Sequence, residues 1–139
     1  MPGRTFLDTN ILVHAQDGGA PAKQRKSREL VASLAESVDG VISTQVMQEF
    51  FVAVTKKLGV APLAAKGIIK TFGVFEVVQV SPALIQEAID CSVLNEVSFW
   101  DALILASAAS AGCSVVLSED LNPGQVILGV TVKNPYLIA

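Results

Sequence analysis

Four acidic residues stand where apolar segments of this chain break off: Asp8 after Phe6-Leu7, Glu49 beside Phe50 and Phe51, Asp101 after Phe99-Trp100, and Asp120 shortly after Val115-Val116-Leu117. They are far apart in sequence, and small polar residues accompany them, Thr9 and Asn10 behind Asp8 and Ser118 ahead of Asp120. Carboxylates gathered at one place repel one another and cannot all stay ionised without compensation. A hard divalent cation supplies it, and a donor set made only of oxygen favours magnesium or manganese over zinc. Such an ion at an open edge holds a phosphodiester and activates a water for in-line attack. No nucleophilic side chain is then needed, which suits a chain with one histidine, His14, that has no evident partner, and no Ser/His/Asp arrangement. Thr9, Asn10 and Ser118 are placed to orient the carboxylates or water.

The elements that must carry these acids can be read from hydrophobic spacing and caps. Arg4-Thr5-Phe6-Leu7 reads as a strand that delivers Asp8. After a turn at Asp17-Gly18-Gly19, Pro21 opens a helix to about Val38, with Leu30, Val31, Leu34, Ala35 and Val38 on its apolar stripe. Gly40 to Ser43 is a second strand. Thr44 caps a helix from Gln45 to Lys57, ended by Gly59, whose stripe of Val46, Phe50, Ala53 and Val54 runs beside Glu49. Pro62 opens another helix, and Phe75 to Val80 has the β-branched content of a strand. Ser81-Pro82 starts the next helix, which carries Leu84, Ile85, Ala88 and Ile89 inward before a break at Asn95-Glu96. Ser98 and Asp101 have the spacing of a capping box at the head of a very apolar helix that stops at Gly112. Cys113 to Leu117 is a fourth strand and Gln125 to Val132 a last one.

Strands alternating with helices predict an α/β fold of three layers: a mainly parallel central sheet of about five strands with helices on both faces. Ligands of such sheets bind beyond the carboxyl ends of the strands. That edge receives Asp8 and Asp120 directly, and it receives the first turns of the helices bearing Glu49 and Asp101. Each acid also has an ordinary explanation: an Asx turn for Asp8, a solvated helix surface for Glu49, the capping box for Asp101, a turn for Asp120. Their joint placement favours the site.

Composition sets the bounds. With 139 residues, 51% of them hydrophobic, the chain suits one domain, residues 1–139. The opening Met1-Pro2-Gly3-Arg4 lacks the apolar stretch of a secretory signal, and no run approaches the ~20 residues that span a bilayer. A soluble, cytoplasmic protein without a membrane partner is expected. Cys91 and Cys113 lack metal-type spacing and read as core residues. A net charge of −3 opposes nucleic-acid binding, but setting the four acids aside as metal ligands turns it into +1, which admits a polyanion. The basic opening turns of the first long helix, Lys23, Arg25, Lys26 and Arg28, could track phosphates or form a solvated face.

Together the segments Phe6-Leu7-Asp8-Thr9-Asn10, Gln45-Val46-Met47-Gln48-Glu49-Phe50, Ser98-Phe99-Trp100-Asp101-Ala102-Leu103-Ile104 and Leu117-Ser118-Glu119-Asp120-Leu121 resemble, in order and spacing, the PIN-domain ribonucleases. More narrowly the chain looks like a VapC-type toxin of a bacterial toxin–antitoxin pair, and the closing Gly124-Gln125 to Gly129-Val130 and Asn134-Pro135-Tyr136 are also similar. The resemblance implies a PIN fold, Mg2+- or Mn2+-dependent endoribonuclease activity, a homodimer and a small VapB-like antitoxin. By motif match, Asp8, Glu49, Asp101 and Asp120 would be the acidic quartet. Ser118 stands where PIN proteins commonly have threonine, and serine makes the same hydrogen bond. Of Glu119 and Asp120, the motif selects Asp120.

Three other classes compete. A response-regulator receiver needs an aspartate at the end of its middle strand, where Val80-Ser81 stands. A haloacid-dehalogenase-type phosphatase wants a second aspartate two residues after the first, where Asn10 stands. A non-catalytic PIN-like binding module keeps every element and is separated only by measured cleavage.

Overall fold

The computed structural model describes residues 3–137; Met1-Pro2 and Ile138-Ala139 of the expected 1–139 domain lie outside them. Among the described residues six strands form one sheet: β1 (Arg4–Leu7), β2 (Gly40–Ser43), β3 (Glu76–Val78), β4 (Cys113–Leu117), β5 (Val126–Ile127) and β6 (Val130–Lys133). Their order is β3-β2-β1-β4-β6-β5, parallel throughout except for the antiparallel pair β5 and β6. Phe6 lies opposite Val41 on one side and Val116 on the other, so β1 runs through the middle with both neighbours in parallel register. Phe6, Leu7, Val41, Ile42 and Val116 are fully buried, as strands covered on both faces require.

Six α-helices among the described residues surround the sheet: α1 (Thr9–His14), α2 (Pro21–Ser37), α3 (Thr44–Lys57), α4 (Pro62–Thr71), α5 (Pro82–Asn95) and α6 (Phe99–Ser110). Directly after the first strand the chain coils into α1, an element too short for hydrophobic spacing to announce. The Asp8 side chain starts it by accepting the Thr9 N–H. Ser43 rather than Thr44 caps α3, because Ser43 retains extended backbone and its Oγ accepts the Val46 N–H. Thr44 Oγ1 accepts the Val80 N–H instead.

Four expectations about burial and strand ends are corrected. Val38 leaves the stripe of α2: it is the left-handed C-cap, φ 63°, and 77% exposed. The third strand shrinks from Phe75–Val80 to Glu76–Val78, since Phe75 closes the 3-10 turn Phe72–Val74 and its ring fills the space beside Gly40, where any Cβ would stand 2.5 Å from it. On α5 only Leu84, Ala88 and Cys91 are buried, whereas Ile85 and Ile89 face outward, because the helix packs mainly on α6 and, among the described residues, no second element covers its other side. The expected last strand folds back on itself at Leu128 and Gly129, both at positive φ, giving the β5–β6 hairpin and a sixth strand.

The core lies on both sides of β1, β2 and β4, with Ala102 to Ala108 of α6 almost wholly inside it. Cys91 and Cys113 are buried and free, as expected, and burial pushes the Cys113 thiol up to about 11 despite nearby Arg4. Among the described residues no helix is long and apolar enough to cross a membrane.

Candidate functional site

β1 stops where its last residue hands over to Asp8, whose backbone N–H donates to Leu117 O at 3.0 Å. The Asp8 side chain is therefore delivered to the carboxyl edge, and it is buried there. Its Oδ1 accepts the Thr9 N–H at 2.7 Å, and its Oδ2 accepts Ser118 Oγ–H at 2.7 Å and, more weakly, Asn10 Nδ2 at 3.4 Å. Burial raises this carboxyl from its ordinary 3.8 to about 6; the bonds from Ser118 and Thr9 oppose the rise, and the charges of Glu49 and Asp120 add to it. Among the described residues no lysine, arginine or histidine forms an ion pair with it.

Glu49 lies on the edge of the α3 stripe, half-buried. Its Oε1 accepts Thr9 Oγ1–H at 2.6 Å and its Oε2 accepts Gln45 Nε2–H at 3.3 Å. The same Gln45 amide donates to Trp100 O at 3.2 Å, which ties α3 to the first turn of α6. Gln45 is buried, and nothing in its local sequence marks it as more than a helix residue.

Asp120 is joined to Asp8 through Asn10. Asn10 Nδ2 donates to Asp120 Oδ2 at 3.1 Å, while Asn10 Oδ1 accepts the Glu119 N–H at 3.0 Å. The fully buried Ser118 Oγ accepts the N–H groups of Asp120 and Leu121. Glu119 turns the other way, to His14 Nε2 at 2.8 Å and to Lys23 Nζ. Burial pushes its carboxyl up, but the bonds from Lys23 and His14 outweigh that and hold it below the usual range. His14 is thus not without a partner, as its isolation in the sequence suggests. Tyr136 from the closing segment packs edge-on to His14 and beneath Lys23, and its hydroxyl bonds Ser27 Oγ at 2.6 Å.

The fold therefore brings Asp8, Glu49 and Asp120 together with Thr9, Asn10 and Ser118. Asp101 is not bonded to them. It occupies the first turn of α6, its N–H donates to the Ser98 cap at 3.1 Å, and among the described residues no hydrogen bond joins its carboxylate to the other acids. The connection runs through its neighbour Trp100 and Gln45. As the side chains stand, no three His, Cys, Asp or Glu groups among the described residues are clustered tightly enough to hold a metal ion. Of the four basic residues on α2, Lys23 is engaged by Glu119 and Arg28 Nε donates to Ala15 O at 2.8 Å. Arg25 and Arg28 line a separate shallow hollow with Glu29, and Lys26 is half-buried.

Glu49 and Asp120, with Thr9 and Asn10, line a groove of about 1150 Å³ between α1 and α3 that also takes in Lys56 and Lys57. It is wide and open enough for a polymer rather than a small enclosed ligand.

A family model described as PIN domain matches residues 5–126, a span that holds all four acids. The chain belongs to the PIN domain family. Solved structures similar to this PIN domain include the VapC20 toxin of Mycobacterium tuberculosis, described as sarcin-ricin loop cleaving, at 24% identity and TM-score 0.69 over 84% of this chain and 91% of that one. A toxin–antitoxin complex from Klebsiella pneumoniae is similar at 19% identity and TM-score 0.73, over 96% of this chain and 99% of that one. VapBC2 of Rickettsia felis, bound to a fragment of its promoter DNA, is similar at 17% identity and TM-score 0.69, over 94% and 97%. At these identities the likeness is one of fold, and it extends along nearly the whole PIN domain. No curated protein matches the sequence.

Proposed function

We propose that this PIN domain is a magnesium- or manganese-dependent endoribonuclease, the toxin of a VapBC-type toxin–antitoxin pair. The observation that carries this reading is Asp8: a buried carboxylate hydrogen-bonded to Thr9 and Asn10, which line a wide groove, with Glu49 and Asp120 as like-charged neighbours and, among the described residues, no basic side chain paired with it. Such an arrangement costs stability, and a site that binds positive charge explains why it is kept. The donor set is all oxygen, which fits a hard divalent cation.

Asp8 and Asp101 would be the principal ligands, with Glu49 and Asp120 completing the set directly or through water. When bound, the ion supplies a water of lowered pKa and offsets the charge that builds on the phosphate during in-line displacement. The chain's own contribution is orientation. Ser118 and the Thr9 N–H fix the two oxygens of Asp8, Thr9 Oγ1 and Gln45 fix Glu49, and Asn10 spans Asp8 and Asp120. Held donors of this kind favour the ionised carboxylates that a cation needs and remove rotamer freedom before the substrate arrives.

A VapB-like antitoxin and an RNA substrate go with this reading, supported by the toxin–antitoxin complexes among the similar structures. So do a cytoplasmic location and a homodimer. For the dimer the support is an exposed apolar row on α5, Ile85, Ile89 and Val93, at one-turn spacing.

The test is incubation of the purified chain with a pool of structured RNAs in magnesium, manganese or EDTA, beside an Asp101→Asn variant. Cleavage that needs the ion and disappears in the variant is the expected result. Absence of cleavage in every condition, with antitoxin shown not to copurify, would replace the nuclease with a non-catalytic binding module.

A further inference from the structure

Two features of the groove are not explained by holding a cation. Trp100, the only tryptophan of the chain, lines the groove one residue before Asp101 and is 61% exposed. Its carbonyl is fixed by Gln45, and its ring stands edge-to-face on Phe99 at 5.1 Å, so a large aromatic surface is oriented yet uncovered. Lys56 and Lys57, which also line the groove, close α3, both exposed, and among the described residues neither forms an ion pair. Gln45, Glu49, Val52 and Lys56 succeed one another at helical spacing down the same wall. From Glu49 to Lys56 that wall rises about 10 Å, at 1.5 Å per residue.

An acidic centre would repel a polyanion unless cations lie along its path. The basic residues of α2 supply few, since Lys23 is engaged by Glu119 and Arg28 by a carbonyl. The lysines of α3 lie in line with the centre. An exposed indole face is recognised by another flat ring, and the bases of a nucleic acid offer theirs only where they are unpaired and unstacked.

We infer that Trp100 stacks on an unpaired RNA base beside the scissile phosphodiester, with Lys56 and Lys57 on the backbone phosphates farther along α3. The assignment rests on the endoribonuclease reading of the acidic centre. It makes Trp100 a positioning residue that demands a looped-out or single-stranded site but tolerates any base, since every base has a π-face.

Trp100 also provides the readout, because it is the sole indole. The full chain is titrated with a labelled 12-nucleotide RNA of mixed A and U, and with the same sequence as a duplex. Trp emission and RNA anisotropy are followed together, in EDTA and again with Asp101→Asn in magnesium. The single strand should quench the emission over the concentrations at which anisotropy rises, and the duplex should not. Trp100→Ala should weaken single-strand binding about tenfold, with Trp100→Phe restoring most of it. Lys56→Glu with Lys57→Glu should weaken it by at least as much and make the salt dependence shallower by about 1.4 in log–log slope.

Binding without quenching, equal quenching by the duplex, a Trp100→Ala variant that binds like wild type, or no binding in either condition would each overturn the inference. An emission shift that follows protein concentration without RNA would assign the indole to contact between copies, and would overturn it too. The underlying reading fails separately. Quenching by single strands without cleavage in any metal removes the nuclease and keeps the strand site. Metal-dependent cleavage by Trp100→Ala at the wild-type kcat/KM keeps the nuclease and removes the stacking role.

Discussion

Ser118 Oγ donates to Asp8 Oδ2 at 2.7 Å and accepts the backbone N–H groups of Asp120 and Leu121 at 3.1 and 3.3 Å. One buried hydroxyl thus ties the end of β1 to the loop after β4. Ser118→Ala strips a buried carboxylate of a donor and two amides of an acceptor, and should cost about 2 kcal/mol in urea denaturation. Ser118 is also the strongest influence holding the Asp8 carboxyl down, so the acidic limb of the cleavage profile should move to higher pH. An unchanged profile would show that Asp8 does not limit the rate.

Asp8 gives stability itself a pH dependence. Its folded carboxyl titrates at about 6 against an ordinary 3.8, so between those values the folded chain binds more protons than the unfolded one. The contribution is fully present below about 4 and is lost as pH rises through 6, by at most about 3 kcal/mol for a shift of roughly two pH units. Urea midpoints in EDTA should therefore fall between pH 4.5 and 7.5 relative to Asp8→Asn, which lacks this titration. The variant should be the more stable of the two at pH 7.5 while losing cleavage. A parallel pH dependence in the two proteins would rule the assignment out.

Adjacent acids on the loop after β4 should behave differently. Glu119 is committed to His14 and Lys23, so Glu119→Gln should keep cleavage within several-fold and lower the melting temperature slightly. Asp120→Asn should reduce cleavage by a factor of ten or more with little change in melting. The reverse ranking in the same assay would exchange their roles.

Thr9 Oγ1 holds Glu49 Oε1 at 2.6 Å. Thr9→Val keeps the shape and removes that donor. Cleavage is expected to fall about tenfold through weaker metal affinity, an effect typical of outer-shell partners, while stability changes by less than about 1 kcal/mol. Titrating activity against magnesium separates the two: the variant should recover at high metal.

Val38 offers a test far from the acids. A β-branched residue at φ 63° in the C-cap of α2, largely exposed, has strain without compensating packing. Val38→Gly should raise stability by about 1 kcal/mol and leave cleavage unchanged, as read by thermal melting and initial rates.

Local chemistry made much of this protein legible. The run ending at Asp8, the strand ending before Ser118, Pro21, Pro62 and Pro82 at helix starts and the Ser98 cap all act over a few residues, so their side chains determine backbone choice before any distant contact forms. The parallel sheet followed from those elements by the rule that crossover helices cover both faces. Where the expectations failed, the deciding partner was remote. Glu119 lies 105 residues from His14 and 96 from Lys23, and Gln45 reaches across 55 residues to Trp100. Ile85 and Ile89 have core-like spacing, yet α5 packs mainly on α6 and buries only Leu84, Ala88 and Cys91. The hairpin at Leu128-Gly129 lacks an Asn-Gly or Asp-Gly signal and depends on β6 pairing with β4. The sequence by itself determined that Asp8, Glu119 and Asp120 follow directly on strands at the carboxyl edge, because strand ends are local. Only the tertiary structure decided which of them are neutralised and which stay uncompensated, because charge pairing and burial depend on what the other elements bring within a few ångströms.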